Sequence, residues 1–341
     1  MRFSAVFVAM AAIATATITA AAPATTTTRF PRTTTTTRFP RTTTSATAPT
    51  PTATPTFNKT LTALNYALSL EHLQAEFYRM GLAKFNESAF TNGGFHQNVH
   101  DRFVQISDHE NEHVAALTSA IASINGTAVP ACNYTFPMDN LTQFLTAAQA
   151  IENTGVSAYL GAVSGLRGNL LTTIASIATV EARHASYVNE LLGESGIPYA
   201  FDTALGPREV ATLATNFVSS CPYNMTVEPF TRLNATLPAS GSNSTMVTTS
   251  FEGVGANLNT TFCQFLFGNN VTVSPRSQCD LPMNATGYVF VLITKNQIPI
   301  SLGRDSNVLA GPALLFNNGT LSSGNPGNPG NGTQTNGTQT S

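Results

Sequence analysis

The sequence contains no tryptophan and carries little charge. The absence of tryptophan removes the commonest aromatic platform for stacking on sugars, which weakens the case for carbohydrate binding. Charged residues make up 10% of the chain and the formal net charge is −2, so no basic surface predicts binding to nucleic acid. After residue 22 no segment is long and apolar enough to span a bilayer, and the polar C-terminus has no lipid-anchor signal. We therefore expect no nucleic-acid partner and no membrane span.

Residues 1–22 have the pattern of a secretory signal peptide. Arg2 precedes an apolar run that ends in the small residues Ala20, Ala21 and Ala22. A transmembrane anchor is the alternative, but the run is too short and too rich in alanine and threonine. We therefore predict a secreted protein, either extracellular or located in the cell wall.

The chain has only four cysteines, and their spacing matches no compact zinc motif. Secretion predicts that these cysteines are oxidised. Three pairings are possible. We favour Cys132–Cys221 and Cys263–Cys279, because each of these bonds stays within one predicted domain.

Fourteen Asn-x-Ser/Thr sequons support the same compartment, because a cytosolic protein has no need of so many. Twelve of them precede the C-terminal tail and are predicted glycosylation sites: Asn58, Asn86, Asn125, Asn133, Asn140, Asn224, Asn234, Asn243, Asn259, Asn270, Asn284 and Asn318. The other two, Asn331 and Asn336, lie in the tail.

Composition divides the rest of the chain into four segments. Residues 23–56 form a Thr/Pro-rich stalk, which cannot bury enough apolar area to fold and which we expect to be disordered and O-glycosylated. The stalk holds two Arg-Phe-Pro-Arg units, 29–32 and 38–41, which are either sites of proteolytic processing or part of a sugar-coated spacer. We predict a helical domain at residues 57–225, a β-rich module at residues 226–318 and a disordered Gly/Asn/Thr-rich tail at residues 319–341.

The helical domain has apolar residues at a period of 3.6. This pattern predicts four long helices at residues 60–85, 96–124, 139–164 and 169–192, with Asp139 as the N-cap of the third. A shorter fifth helix should begin near Pro207 and end before Cys221. The linker of about a dozen residues between the second and third helices is long enough to run the length of a helix, but its length alone leaves the topology open.

Runs rich in valine, threonine and phenylalanine follow, separated by turn residues. They predict strands at residues 246–251, 260–267, 271–274, 288–294 and 313–316, in a small all-β, sandwich-like module. All six histidines lie between His72 and His184, so a metal site with histidine ligands cannot lie in this module.

Two Glu-x-x-His motifs are the most specific feature of the sequence. They are Glu110 with His113 and Glu181 with His184, each mid-way along a predicted helix. Residues i and i+3 share a helix face, so each motif presents a carboxylate and an imidazole in the same direction. With twelve glutamates and six histidines in 341 residues, random placement would give only about 0.2 such pairs.

The helices that precede these motifs also match each other. Glu71 and Tyr78 lie seven residues apart on the first helix, as do Glu152 and Tyr159 on the third. Seven residues are close to two helical turns, so each tyrosine shares the face of its glutamate. Four carboxylates and two imidazoles on four helices can form a dinuclear metal site, whose cations compensate the buried charge.

These segments resemble the ferritin-like superfamily, and within it most closely the secreted fungal stress-response and plant desiccation-related proteins. The matching text lies at residues 64–71, 75–78, 109–114, 152–161 and 177–185, and the resemblance covers roughly residues 58–223. It implies an all-α four-helix bundle that holds two metal ions, usually iron, although the donor set also accepts manganese. The residues at the ligand positions of that superfamily are Glu71, Glu110, His113, Glu152, Glu181 and His184. We do not expect a ferritin cage, because the stalk, the β-rich module and the glycans would obstruct a closed shell.

Other titratable residues near the motifs are expected to have surface or packing roles rather than to bind metal. Glu76 lies about 140° round the helix from Glu71. His72 and His109 adjoin predicted ligands in the sequence but should point elsewhere. The residues expected to be exposed are Glu112, His96 and His100.

Two ions held by carboxylates and one imidazole each would leave positions open for O₂ or H₂O₂. The predicted function is therefore that of a di-metal oxidoreductase in stress protection, which oxidises Fe(II), reduces peroxide or acts as a manganese-type catalase. Tyr78 and Tyr159 are expected to donate hydrogen bonds to ligand carboxylates, in preference to a redox role. The alternative is a structural or protective glycoprotein of the cell wall or extracellular matrix, with wall polymers as partners, in which the fold persists without metal chemistry.

Overall fold

The longest elements of the chain are helices, and they lie in its first two thirds. The computed structural model describes residues 55–163, 166–224, 227–239, 244–252 and 260–317. The predicted signal peptide, nearly all of the predicted stalk with both Arg-Phe-Pro-Arg units, and the predicted tail lie outside the described residues.

Six α-helices are found in these residues. They are α1 (Pro55–Lys84), α2 (Glu87–Asn92), α3 (Asn98–Ser123), α4 (Leu141–Ala162), α5 (Gly168–Leu191) and α6 (Pro207–Ala214). The four predicted long helices and the short one at Pro207 are present, and the ends of the long helices differ from the prediction by one to five residues. The helix α2 was not predicted, because six residues are too few to show the helical period.

Asparagine side chains set the starts of α2 and α4. Asn86 Oδ1 accepts a hydrogen bond from the backbone nitrogen of Ala89 (3.1 Å), and Asn140 Oδ1 accepts one from that of Gln143 (2.9 Å). Such caps satisfy backbone donors that have no partner inside the helix. The prediction of Asp139 as the cap is wrong by one residue. Its backbone nitrogen instead donates to Gln143 Oε1 (2.8 Å).

The long helices pack through two apolar clusters, with α1 beside α3 and α4 beside α5. One cluster is rich in aromatic rings, and in it Phe77 stacks on Phe144 with 5.0 Å between ring centroids. The other is mainly aliphatic and includes Leu68, Leu117 and Ile177. On α3 and α5 the Glu-x-x-His motifs lie between residues of the two clusters, so they form a buried polar layer between apolar layers.

The linker from α3 to α4 follows α1. Near its start, the Asn65 side chain donates to the carbonyl oxygen of Thr127 and accepts from the backbone nitrogen of Val129, both at 2.9 Å. Further along, the ring of Phe136 packs against Phe77 at 5.1 Å between centroids. From Asn65 to Phe77 is about three turns of helix, so these contacts follow less than half of the 30 residues of α1.

Eight β-strands are found in the described residues. They are β1 (Asn133–Tyr134), β2 (Val218–Ser220), β3 (Leu233–Thr236), β4 (Thr248–Phe251), β5 (Phe262–Phe267), β6 (Asn270–Pro275), β7 (Gly287–Thr294) and β8 (Val308–Asn317). β1 pairs with β2 and β3 with β4, and the other four form an antiparallel sheet in the order β6–β5–β7–β8. All five predicted strands are present, whereas β1, β2 and β3 were not predicted.

The central strand β7 is buried on both faces. Tyr288, Phe290 and Leu292 belong to the aromatic-rich cluster that the sheet shares with the helices. Their alternate neighbours, on the opposite face, belong to a third cluster that includes Leu233 of β3. The sandwich-like module expected from the sequence therefore has helices against one face of its main sheet.

Two disulfide bonds fasten the chain, and they have the pairing that we favoured. Cys132–Cys221 joins the residues that flank β1 and β2, and Cys263–Cys279 joins β5 to the segment that follows β6. Within the described ranges, no helix is long and apolar enough to cross a membrane.

Eight of the predicted glycosylation sites have described side chains, and all eight are exposed. They are Asn86, Asn125, Asn133, Asn140, Asn224, Asn234, Asn270 and Asn284. The side chain of Asn58 is not described, and Asn243, Asn259 and Asn318 lie outside the described residues. Exposure leaves the eight side chains accessible to a glycosylating enzyme.

Candidate metal centre

Six buried side chains from the four long helices meet between the helices. α1 contributes Glu71, α4 contributes Glu152, and α3 and α5 each contribute a Glu-x-x-His motif. The relative exposure of these residues lies between 0% and 7%. They form two groups, in each of which one ligand atom per residue lies within 4.8 Å of those of the others: Glu71, Glu110, His113 and Glu181, and Glu110, Glu152, Glu181 and His184. We call these groups the His113 half and the His184 half; Glu110 and Glu181 belong to both.

In the His113 half, one imidazole nitrogen faces three carboxylates. His113 Nδ1 lies 3.2 Å from Glu181 Oε1 and 3.3 Å from Glu71 Oε2. It also lies 3.4 Å from Glu110 Oε2, one turn earlier on the same helix. The i and i+3 positions on α3 therefore point to the same place, as the motif predicts.

In the His184 half, the corresponding nitrogen faces two carboxylates. His184 Nδ1 lies 3.0 Å from Glu110 Oε1 and 3.6 Å from Glu152 Oε2. Glu110 thus turns one carboxylate oxygen towards each histidine. It occupies the position of a ligand that two ions could share.

Two tyrosines donate hydrogen bonds to the two glutamates that belong to only one half each, Glu71 and Glu152. Tyr159 donates its hydroxyl hydrogen to Glu71 Oε1, and Tyr78 donates to Glu152 Oε1. Each tyrosine therefore bonds to the glutamate of the other member of the α1 and α4 pair, not to the glutamate on its own helix. Burial, and then the charge of the bonded glutamate, raise the pKa of both hydroxyls, so the tyrosines remain protonated hydrogen-bond donors.

Burial also alters the proton affinity of the cluster itself. Burial, followed by the charge of Glu110, raises the pKa of Glu71 to about 8, and burial with the charge of Glu71 raises that of Glu181 to about 7. Burial opposes the protonation of the histidines, but their contacts with the carboxylates outweigh it and raise the pKa of His113 to about 12 and that of His184 to about 10. Protons can therefore compensate part of the negative charge, and a bound cation would compete with them.

The donor atoms of the cluster fit a metal site. Seven buried atoms of these residues have no hydrogen-bond partner: Glu71 Oε2, Glu110 Oε1 and Oε2, His113 Nδ1, Glu152 Oε2, Glu181 Oε1 and His184 Nδ1. The contacts between Nδ1 and the carboxylates are within ion-pair distance but lack hydrogen-bond geometry. A buried polar atom without a partner costs about 1–3 kcal/mol, so seven at one place need an explanation. Carboxylate and imidazole ligands suit manganese and iron, which would satisfy all of these atoms.

Gln74 also touches this cluster and was missed in the sequence. Its Nε2 donates a buried hydrogen bond to Glu181 Oε2 at 2.8 Å. Gln74 lies three residues after Glu71 and therefore on the same helix face, so the spacing could have identified it.

His109 lies beside the site, whereas the sequence prediction placed it away from the site. Its Nδ1 lies 2.9 Å from His184 Nε2, and the two rings are nearly parallel. His109 adjoins Glu110 but lies four residues before His113, and this i, i+4 spacing was the relevant signal.

The other titratable residues considered in the sequence lie outside both ligand groups. They are Glu76, Glu112, His72, His96 and His100. His72 Nε2 lies 3.1 Å from the carbonyl oxygen of Val129, in the linker along α1. The prediction that His100 is exposed is wrong. It is half-buried, and its ring packs edge-on against Phe90 at 5.5 Å.

A groove between α3 and α5 reaches the cluster from its histidine side. It has a volume of about 590 Å³, and its walls include Arg102, Arg183 and Tyr187. His113 and His184 contribute to its lining, so the groove connects solvent with both halves of the cluster. Small solutes can approach the cluster here.

Comparison with known proteins agrees with this geometry. Residues 59–194 match the family model of the ferritin-like domain, and all six residues of the cluster lie in that range. Protein rds1 of Schizosaccharomyces pombe is 25% identical over 162 residues, which are 47% of this chain and 39% of that protein. The match therefore spans well under half of the relative's length. The two matches support the ferritin-like superfamily for the helical region.

Proposed function

We propose that this is a secreted protein whose four long helices form a ferritin-like four-helix bundle around two metal ions, iron or manganese. The observation that carries the proposal is the convergence of six buried side chains with seven buried atoms that lack hydrogen-bond partners. Two overlapping ligand groups that share Glu110 and Glu181 support two ions rather than one. The preponderance of carboxylate oxygens supports iron or manganese over zinc.

The position of each side chain gives it a role in the proposed centre. Glu71 and Glu152 would each bind one ion, Glu110 and Glu181 would be shared, and each histidine would bind the ion of its own half. The hydrogen bonds from Tyr159 and Tyr78 would orient the carboxylates of Glu71 and Glu152. The two apolar clusters that flank the polar layer along the helices would exclude water from those two sides. When bound, a pair of redox-active ions would supply two electrons, which with two protons reduce one H₂O₂ to two water molecules.

The groove between α3 and α5 supports the proposal that the substrate is small. Both histidines line this groove, whereas the four glutamates of the cluster are fully buried between the helices. We therefore propose O₂ or H₂O₂ as the oxidant and Fe(II) oxidation or peroxide reduction as the activity, in line with a role in stress protection.

Loading purified full-length protein with Fe(II) or Mn(II), followed by elemental analysis, tests this proposal. We expect about two ions per chain, together with Fe(II) oxidation in air or loss of H₂O₂. Glu110→Gln keeps the side-chain shape but removes the charge of a shared ligand, and should lower the metal content below about one ion per chain. Glu112→Gln, at an exposed position on the same helix, is the matched control and should behave as the wild type. A wild-type chain that retains less than about one ion would refute the proposal.

A structural or protective glycoprotein of the cell wall is the second candidate function. The exposure of all eight described sequon asparagines and the two disulfide bonds favour it. The double variant Glu110→Ala/His113→Ala distinguishes the two functions. Unchanged heat resistance and an unchanged host phenotype would favour the structural role, whereas loss of stress tolerance in a correctly secreted variant would favour the metal centre.

Secretion is a separate part of the proposal and has its own test. Protein recovered from the culture medium should begin near residue 23, after removal of the predicted signal peptide. N-terminal sequencing measures this directly.

The same preparation should elute from a sizing column well below the mass of a closed ferritin shell.

A further inference from the structure

The two shared carboxylates are held differently. Gln74 Nε2 donates a buried hydrogen bond of 2.8 Å to Glu181 Oε2. Neither oxygen of Glu110 has a hydrogen-bond partner. One shared carboxylate is therefore fixed by a neutral amide, and the other is positioned only by its ion-pair contacts with the two histidines.

The first and third long helices match at their glutamate and tyrosine but differ at the position that causes this difference. Three residues after Glu71 the chain has Gln74, whereas three residues after Glu152 it has Gly155. A Cβ atom at Gly155 would lie 2.6 Å from Glu181 Oε2 and 3.2 Å from Gln74 Nε2. Only glycine at this position leaves room for the glutamine of the other helix to reach Glu181.

The hydrogen bond biases Glu181 towards one half of the cluster. Its free oxygen, Oε1, lies 3.2 Å from His113 Nδ1, while Oε2 is engaged by Gln74. The other shared residue, Glu110, divides its oxygens evenly between the two histidines. The His113 half thus has three carboxylates around its imidazole. In the His184 half two carboxylates, Glu110 and Glu152, lie within ion-pair distance of the imidazole, and the second oxygen of Glu181 accepts the hydrogen bond of Gln74.

We propose that Gln74 is a positioning residue that keeps Glu181 Oε1 directed at the His113 half, so that this half binds its metal ion first and more tightly. This inference rests on the proposed function, because it concerns the order in which the same two ions bind. The bond to Glu181 has a charged acceptor, and its loss corresponds to an equilibrium change of at least about tenfold. Gly155 is required because a side chain there would displace either Gln74 or Glu181.

Calorimetric titration of the metal-free, full-length protein with Co(II), which accepts imidazole and carboxylate ligands, tests this order. We expect two binding steps in the wild type whose dissociation constants differ by at least about tenfold. His184→Gln should remove the weaker step and leave the tight one, whereas His113→Gln should remove the tight step. The reverse assignment would overturn the inference.

The decisive variant is Gln74→Leu, which keeps the volume of the side chain and removes the donor. It frees Glu181 Oε2 for the His184 half, so the two dissociation constants should converge to within about threefold. Gln149→Leu is the matched control. It removes another buried glutamine, on α4, whose amide nitrogen has no hydrogen-bond partner, and it should leave both steps unchanged.

A second variant keeps the inference testable if Gln74→Leu folds poorly. Gly155→Ala places a methyl group against Glu181 Oε2 and should weaken the tight step by at least about tenfold, with the far-UV circular dichroism unchanged. A wild type that binds no Co(II) would refute the proposed function itself. Two ions of equal affinity in the wild type, or an unchanged ratio in Gln74→Leu, would overturn the inference and leave the proposed function standing.

Discussion

His109 Nδ1 lies 2.9 Å from His184 Nε2, on the side of the imidazole opposite the carboxylates. With Nε2 engaged by His109, the Nδ1 atom is left towards Glu110 at 3.0 Å. When a metal ion replaces the proton on Nδ1, the imidazole is neutral and Nε2 is its donor nitrogen, so His109 Nδ1 would accept that hydrogen bond. In metal sites, the second ring nitrogen of a ligand histidine usually has a hydrogen-bond partner, and His109 occupies that position for His184.

Replacement of His109 by leucine should lower metal affinity by about 10–100-fold without unfolding the protein, because the imidazole of His184 loses its orientation. Competition with a chromophoric chelator measures the affinity. His72→Leu is the control, since His72 contacts the linker at Val129 rather than the cluster. Equal affinities for the His109 variant and the wild type would contradict this role.

Loss of either tyrosine hydroxyl should destabilise the protein. Tyr159→Phe and Tyr78→Phe each leave a buried carboxylate oxygen without its donor, so the free energy of unfolding should fall by about 1–3 kcal/mol. Urea denaturation of the metal-free protein measures this. Tyr187→Phe, on the wall of the groove, removes a hydroxyl that bonds to neither glutamate and should cost less. Equal losses in all three variants would show that the bonds to the carboxylates are not special.

The two disulfides should contribute unequally. Cys132 and Cys221 are 89 residues apart, whereas Cys263 and Cys279 are 16 apart. The loop-entropy estimate predicts losses of about 4.5 kcal/mol for a paired Cys→Ser replacement of the first bond and about 3 kcal/mol for the second. Urea unfolding of the two paired variants provides the comparison. A larger loss from the shorter loop would mean that local packing, and not loop closure, dominates.

Asn140 combines a helix cap with a sequon, and two variants separate these roles. Asn140→Gln removes both, and the lost cap should cost about 1 kcal/mol of unfolding free energy in unglycosylated protein. Thr142→Ala destroys the sequon but keeps the cap, so its stability should match that of the wild type. In secreted protein both variants should lose the mass of one glycan. A Thr142→Ala protein of unchanged mass would show that the site is not used.

Glu209 should make stability dependent on pH. The residue is only 4% exposed, and burial, with a smaller effect from Asp305, raises its pKa above the ordinary value of 4.5. A raised pKa in the folded state means that its stabilising contribution is complete below pH 4.5 and is lost as the pH rises through the folded value.

Glu209→Gln cannot ionise, so its melting temperature relative to that of the wild type should be higher at about pH 8 than at about pH 4. Thermal denaturation at the two pH values provides the test, with the exposed Glu228→Gln as the control. A constant difference between Glu209→Gln and the wild type would rule out this titration.

The helical region and the β-rich region were both predictable, and for different reasons. The long helices have a clear apolar period, and the Glu-x-x-His spacing places each ligand pair on one face without knowledge of the tertiary structure. Four charged side chains on otherwise apolar faces also have few alternatives to meeting each other. That is why the six residues of the cluster could be named in advance.

The contacts of Gln74 and His109 could not be predicted with the same assurance. Each joins two helices far apart in the sequence, Gln74 to Glu181 and His109 to His184, so it depends on the rotation and spacing of packed helices. Sequence spacing restricts these residues to the correct face but does not choose their partners. The interface between the sheet and the helices was not predicted. The continuous apolar run of β7 was its signal, because a strand with one face in water alternates apolar and polar residues, whereas a strand covered on both faces does not.

The double burial of β7 has a consequence for any attempt to divide the molecule. A helical fragment that ended after α6 would leave in water the surface that Tyr288, Phe290 and Leu292 now cover. An isolated β fragment would present the same three side chains to solvent and invite self-association. Neither piece is thus a sound substitute for the whole, and experiments on the ligand cluster should retain the C-terminal strands even though none of the six residues lies in them.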